Sequence, residues 1–415
     1  MKKTFLAAKS SYYSWIIAFS ALIIISISYG IVLNGFSIYM IPVTEDFGYS
    51  RQSFGLCLTI INIMLMIVGI FWGKSYKRFG IHKLMKISAI VLPLSYLAFS
   101  FCKRLVTFYI CSVFLGISTA LLSLLPFAVI IANWFENQRG LALGIGFMGA
   151  GVGGMAFSTL AGHWMLEYSW QWITRVTAVI MFFVLVPLVF FVIKTDPKEI
   201  EAESWGHKEE KIKAEEVTGL SLKEAKKTKS FWAMILLAVV LGIGSSALSG
   251  TIIPHINDLG FDPVYAATLS AIALGAMAIG KIVLGLMFDK IGIKLSTTIS
   301  IIAIAAGITG LFIGGEPAFH LLVILGMGIG NPSSTMAYPG MIRERFGMAS
   351  YGAIYGVVSA ANYFGISCAP LIVNMVFDNL GSYSPALIAI ALLSLSSVAL
   401  LNVILPSKTT AAIYV

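Results

Sequence analysis

The sequence predicts an all-helical membrane protein with twelve transmembrane helices in two six-helix, pseudo-symmetric bundles. Three observations carry that prediction. The 415 residues are 58% hydrophobic and only 11% charged, with a mean hydropathy of +0.90, a balance suited to lipid rather than water as solvent. The apolar residues gather in runs of membrane-spanning length. Two short motifs also recur at one fixed offset of 212 positions. Ile41-Pro42-x-x-x-Asp46-x-Gly48-Tyr49 returns as Ile253-Pro254-x-x-x-Asp258-x-Gly260-Phe261, and Gly73-x-x-x-Lys77-Arg78-x-Gly80-Ile81-His82 returns as Gly285-x-x-x-Asp289-Lys290-x-Gly292-Ile293-Lys294. Duplicated halves in so apolar a chain point to secondary transport, with the substrate site near mid-membrane at the interface between repeats.

In chain order, the runs place spans one to six at 14–42, 52–73, 84–102, 105–132, 140–163 and 171–193. Spans seven to twelve fall at 230–256, 264–288, 295–314, 319–341, 351–376 and 385–405. Residues 1–193 then form one bundle, 194–229 a cytoplasmic linker and 230–415 the second bundle. The linker is the one long polar stretch, with nine lysines balanced by Asp196 and eight glutamates. It reads either as a solvated tether or as a tether with a short surface helix at 220–229, turning Lys223, Lys226 and Lys227 toward headgroups.

Orientation follows from the basic residues. Of the 28 Lys and Arg residues, Arg51, Lys103 and Arg104 fall on one face and Arg175 and Lys281 fall within spans; all the others, Lys408 included, fall on the opposite face. That face is expected to be cytoplasmic and to hold both termini, in a plasma or inner membrane. The net charge of +9 therefore reflects topology and attraction to an anionic leaflet rather than nucleic acid. The first apolar run is too long for a cleavable signal and is expected to stay in the protein. Cys57, Cys102, Cys111 and Cys368 show no metal-type spacing and read as packing residues.

Gly285-Leu-Met-Phe-Asp289-Lys290-Ile-Gly292-Ile-Lys294, between spans eight and nine, resembles the loop motif of the major facilitator superfamily, and the resemblance covers the whole chain. It implies a Gly-bearing turn whose charges latch helix ends in one state and release them in another. Asp289, Lys290, Gly285 and Gly292 are the candidates in the second half, and Arg78, Gly73 and Gly80 in the first. Lys77 stands where the family has its first-half acid, which departs from the pattern. Asn133-Trp134-Phe135-Glu-Asn-Gln-Arg139-Gly140-Leu-Ala142-x-Gly144, the glycines that follow it, Tyr13-Ser14-Trp15 and Ser28-Tyr29-Gly30 resemble the oxalate/formate antiporter and monocarboxylate transporter branch. The glycines of span five need no phosphate-binding role, because small residues let membrane helices approach.

Ionisable groups inside a membrane are costly and usually functional. Lys281 stands out, eight residues and about 12 Å of helix before Asp289. Burying an ammonium there costs roughly 2.5 to 3.5 kcal/mol on insertion scales. Three readings stand: an anchor for a substrate carboxylate, which is favoured, a structural lysine held by helix carbonyls or water, and a snorkelling side chain. The resemblance adds that branch members place an anion-binding cation in span eight. It also implies that oxalate exchangers carry a second cation in span eleven, in a segment like Tyr355-Gly356-Val-Val-Ser-Ala-Ala-Asn362, where this chain has Asn362. One cation favours a monocarboxylate, with Asn362 donating to a neutral oxygen.

Further pocket candidates are Asn331 in span ten, Ser123 in span four, Tyr363 and Tyr338 as walls, and Tyr29 or Asn34 in span one. For each, satisfaction by a neighbouring helix is an equal alternative. No Asp or Glu falls at the middle of a span, so a carboxylate proton relay is not expected. Lys281, His163 and His255 are the candidate proton carriers.

The expectation is a transporter of a lactate-, pyruvate- or formate-like monocarboxylate working by alternating access, possible partners being protons beside the organic anion and the lipid bilayer. It is expected to act as a monomer, with no cofactor, no metal and no nucleic acid, and not as an enzyme. The rival readings are an oxalate/formate-type exchanger, an efflux transporter of drugs or other metabolites, and a non-transporting nutrient sensor.

Overall fold

The computed structural model describes residues 2–200, 202, 204–205, 219–313 and 317–405. Lys408, Glu316 and the linker positions 206–218 lie outside the described residues. Among the described residues eleven helices are long and apolar enough to cross a membrane: Tyr12–Asn34, Ser53–Phe79, Ile81–Phe99, Leu105–Trp134, Arg139–Trp164 and Trp170–Val192, then Lys229–Ile256, Thr268–Ile291, Ile293–Phe312, Tyr351–Phe377 and Ser384–Ile404. These correspond to spans one to nine, eleven and twelve. Span ten is also helical but broken: an α-helix at Pro317–Leu325, a π-helical turn at Gly326–Gly330, and a second α-helix at Ser333–Phe346. Pro332 accounts for part of the break. Pro332 has no N–H to give to the Gly328 carbonyl, and the Asn331 amide reaches back five residues to Gly326 O, at 2.8 Å.

Contacts divide the chain into two compact units, Met1–Glu209 and Glu210–Val415. Their internal joints repeat at the 212-residue offset. Gly48 and Gly260 both take positive φ, 67° and 85°, as do Gly80 and Gly292, at 75° and 82°. A side chain would be strained at these corners. Gly80 is the only residue between the helix ending at Phe79 and the one beginning at Ile81. Helix crossings repeat as well. In the first unit a Cβ on Gly30 would lie 2.9 Å from Gly153 Cα, and one on Gly153 would lie 2.1 Å from Ser26 O. In the second unit a Cβ on Gly242 would lie 2.4 Å from Asn362 O, and one on Gly365 would lie 2.2 Å from Val239 O. Spans one and five therefore cross as spans seven and eleven do, with backbones in contact because no side chain intervenes.

The described ends of the linker are docked to the unit each belongs to. Trp205 N donates to Trp134 O at 2.7 Å and Glu136 N to Trp205 O at 2.9 Å, while the Trp205 ring meets Trp15 edge-on at 5.7 Å. At the far end Leu220 N donates to Phe346 O at 2.9 Å. The helix anticipated at 220–229 is only Leu222–Ala225, started by a capping box between Ser221 and Glu224. Hydrogen bonds from the Ser221 hydroxyl and amide hold the Glu224 carboxyl below the usual carboxylate range.

Candidate functional site

The substrate-site candidates that sequence singled out in the second half sit on spans eight, ten and eleven of the second unit. Span eight carries Lys281, 5% exposed. Among the described residues no other Lys, Arg, Asp or Glu is buried. The approach of span eight to span ten fixes its place. A Cβ on Gly280 would fall 1.6 Å from Gly328 O, so Gly280 admits the π-helical turn of span ten directly against the residue preceding Lys281. That carbonyl is the one Pro332 leaves without its usual α-helical donor.

Past the turn, buried Asn331 crosses to span seven, its amide donating to Ser245 O at 3.1 Å. Ser334, one turn on, bonds Asn331 O at 2.9 Å and lies 3.3 Å from Ser245 Oγ. In span eleven, buried Asn362 donates both to Ala238 O of span seven, at 3.0 Å, and to the Tyr338 hydroxyl of span ten, at 3.2 Å. The expectation that Asn362 offers an N–H to substrate is therefore modified: both amide hydrogens have protein partners, and the carbonyl is the group left for further bonding. Tyr338 accepts from Asn362, which leaves its own O–H as a donor. Tyr363, next to Asn362, is buried as well. Asn331 and Asn362 are thus each tied to the backbone of span seven, Tyr338 is joined to it through Asn362, and Lys281 lies one residue from the Gly280–Gly328 crossing.

In the first unit one candidate, Asn34, bonds across to another helix. Asn34 donates to Ala150 O at 2.7 Å, the interhelical alternative raised for it. Tyr29 is half-buried in the π-helical stretch Ser26–Asn34. Ser123 is buried at a break in span four, where φ is −113° and ψ −131°. Pro126, three residues later, has no N–H for Leu122 O, and that carbonyl instead accepts from Ser28 Oγ at 3.1 Å.

The latch candidates are arranged more tightly than a loop. Span eight stays helical through Ile291, so Asp289 and Lys290 ride on its last turn, exposed, and Gly292 alone makes the corner. In the first half Gly73 is buried, and exposed Arg78 sits over the Phe79 ring at 5.3 Å. His163 is exposed at the end of span five. His255 is buried, bonded through Nε2 to Leu311 O at 3.0 Å and edge-on to Tyr383. The sequence reading passed over His320, buried 2.5 Å from the Tyr265 hydroxyl and packed against Phe261. Its clue was faint, an isolated His at the start of an apolar run.

Comparison with known proteins gives a consistent family and a mixed set of substrates. The Major Facilitator Superfamily profile matches residues 18–370. The MFS-type transporter pytF of Aspergillus terreus is 25% identical over 67% of this chain and 90% of its own length. The riboflavin transporter RibJ of Trypanosoma cruzi is 29% identical over 45% of this chain and 40% of its own, and monocarboxylate transporter 4 of Rattus norvegicus is 24% identical over 38% and 34%. Among solved structures, the proton:xylose symporter XylE superposes with a TM-score of 0.70 at 14% identity, covering 95% of each chain, a likeness of fold.

Proposed function

Since this chain belongs to the major facilitator superfamily and is a multi-pass membrane protein, we propose that it carries a small organic monocarboxylate across the membrane by alternating access, with Lys281 neutralising the carboxylate. The observation that supports this most is the burial of Lys281 in an apolar span, in a protein whose other described Lys, Arg, Asp and Glu residues are not buried. An anion arriving at a desolvated ammonium gains far more than one at the surface, because the surrounding dielectric is low. The Tyr338 hydroxyl and the Asn362 carbonyl belong to the same unit; the first can donate to a keto or hydroxyl oxygen of such an acid, and the second can accept from a hydroxyl. Asn362, where a second cation would be needed for a dicarboxylate, favours a single carboxylate. The lack of a buried acid among the described residues argues against efflux of lipophilic cations. In this reading a proton accompanies the anion, with Lys281 as the coupled group, and the lysine-rich face is cytoplasmic.

Liposome uptake with a panel of labelled mono- and dicarboxylates, riboflavin and a sugar, with and without an imposed pH gradient, tests the reading. Uptake confined to monocarboxylates and raised by an inward acid-to-alkaline gradient is expected. Preference for riboflavin or the sugar would overturn the substrate class, and gradient-insensitive flux would leave exchange or uniport.

A further inference from the structure

The turn between spans three and four brings two thiols together. Span three ends at Phe99 and span four begins at Leu105. Between them Ser100 N bonds Leu97 O, Phe101 N bonds Ala98 O and Cys102 N bonds Phe99 O, at 3.0 to 3.2 Å, which winds the chain back against the helix it enters. Cys102 Sγ then lies 3.6 Å from Cys111 Sγ, in the second turn of span four, and both cysteines are free. The Phe99 and Phe108 rings, 4.8 Å apart and edge to face, hold the two helix ends in this relation. Cys102 is nearly buried and Cys111 partly exposed, so the pair has one sheltered and one approachable sulfur.

A disulfide bond is ~2.0 Å long, and the two sulfurs already lie in contact at 3.6 Å. The hydrogen bond from Cys111 is the main influence that favours a thiolate at Cys102, and the turn also carries exposed Lys103 and Arg104. These are two of the three basic residues that the charge asymmetry places opposite the lysine-rich face, where disulfides persist rather than being reduced by a glutathione pool.

We propose that Cys102 and Cys111 form a redox-active dithiol that closes to an intramolecular disulfide by exchange with an external low-molecular-weight disulfide. One cysteine thiolate attacks a sulfur of the donor, breaking its S–S bond and expelling one thiolate, which leaves a mixed disulfide on the protein. The second cysteine gives up its proton and attacks the protein sulfur of that mixed disulfide. This forms the Cys102–Cys111 bond and releases the donor's other half. The donor is reduced by two electrons to two thiols, and the protein dithiol is oxidised by two. The bond fastens the end of span three to the second turn of span four, and a dithiol reductant reopens it.

The test uses the full chain in detergent or proteoliposomes, treated with oxidised glutathione and then denatured and labelled with a maleimide of known mass. The reduced protein takes four labels, one per cysteine. After oxidation it takes two, and digestion yields a linked peptide containing Cys102 and Cys111 that dithiothreitol separates. Cys102→Ser and Cys111→Ser must each keep the labelling of Cys57 and Cys368 and lose the linked peptide. Four labels after oxidation, a stable glutathione adduct on either cysteine, or an intramolecular link surviving in Cys111→Ser would each overturn the proposal.

Discussion

Span two carries Gly69, and span eight, 212 positions later, carries Lys281. The same offset pairs Thr119 with Asn331, Pro126 with Tyr338, and Ala150 with Asn362. The joints around these positions do not diverge in this way. The glycine corners at Gly48, Gly80, Gly260 and Gly292 keep positive φ in both halves, and the Gly30–Gly153 crossing recurs at Gly242 and Gly365. Positions where backbone meets backbone tolerate little, so both copies kept them. Buried polar residues occur in both halves, but among the described residues the buried charge is confined to the second, at Lys281. Spans four and ten are both broken, at Ser123 and at Gly326–Gly330, but the π-helical stretches differ: Ser26–Asn34 and Leu188–Val192 in the first half, and Gly326–Gly330, beside Lys281, in the second.

The comparison can be broken most violently at Gly280, whose first-half counterpart is already Val68. A Cβ at Gly280 would lie 1.6 Å from Gly328 O, so Gly280→Val should destabilise the second half by about 3 kcal/mol or more. Loss of the monodisperse peak after detergent extraction checks this; full yield and thermal stability would mean that the crossing yields easily. Next in size, Asn362→Lys should shift competition toward oxalate-like dianions by about tenfold relative to monocarboxylates, roughly 1.4 kcal/mol. No shift would separate span eleven from the substrate.

Asp289→Asn should slow turnover several-fold while leaving equilibrium binding nearly unchanged, because Asp289 rides on the last turn of span eight, eight residues from Lys281. Stopped-flow flux compared with isothermal binding measures the two separately, and a loss in binding alone would assign Asp289 to the site. The smallest effect is expected in the first half. Ser28→Ala leaves the Leu122 carbonyl without its crossing donor, costing about 1 kcal/mol of stability, read as a small drop in melting temperature with uptake retained.

Much of this was legible in the residues. The duplication shows in the repeated motifs, and the Gly-bearing turn of the loop motif points to the corners at Gly80 and Gly292. Lys281 was visible because a charge inside such a run has no bland composition to hide in. Three things were not legible. The bond between Asn362 and Tyr338 joins residues 24 positions apart and depends on how two helices rotate, which periodicity leaves open. The π-helical turn in span ten needed both the proline and the close face of span eight, and only the proline shows in sequence. Cys102 and Cys111 looked like isolated packing residues because their meeting depends on the tight winding of five turn residues.

The central claim is that the substrate's charge is met in the second half, at Lys281. Equilibrium binding and liposome uptake of the preferred monocarboxylate, compared between the protein and Lys281→Gln, test it most directly. The account predicts a loss of about 100-fold, equivalent to roughly 3 kcal/mol, in a variant that still inserts and elutes as the parent does, with partial recovery and altered acid preference in Lys281→Arg because guanidinium geometry differs. Unchanged binding and uptake by a well-folded Lys281→Gln would contradict it.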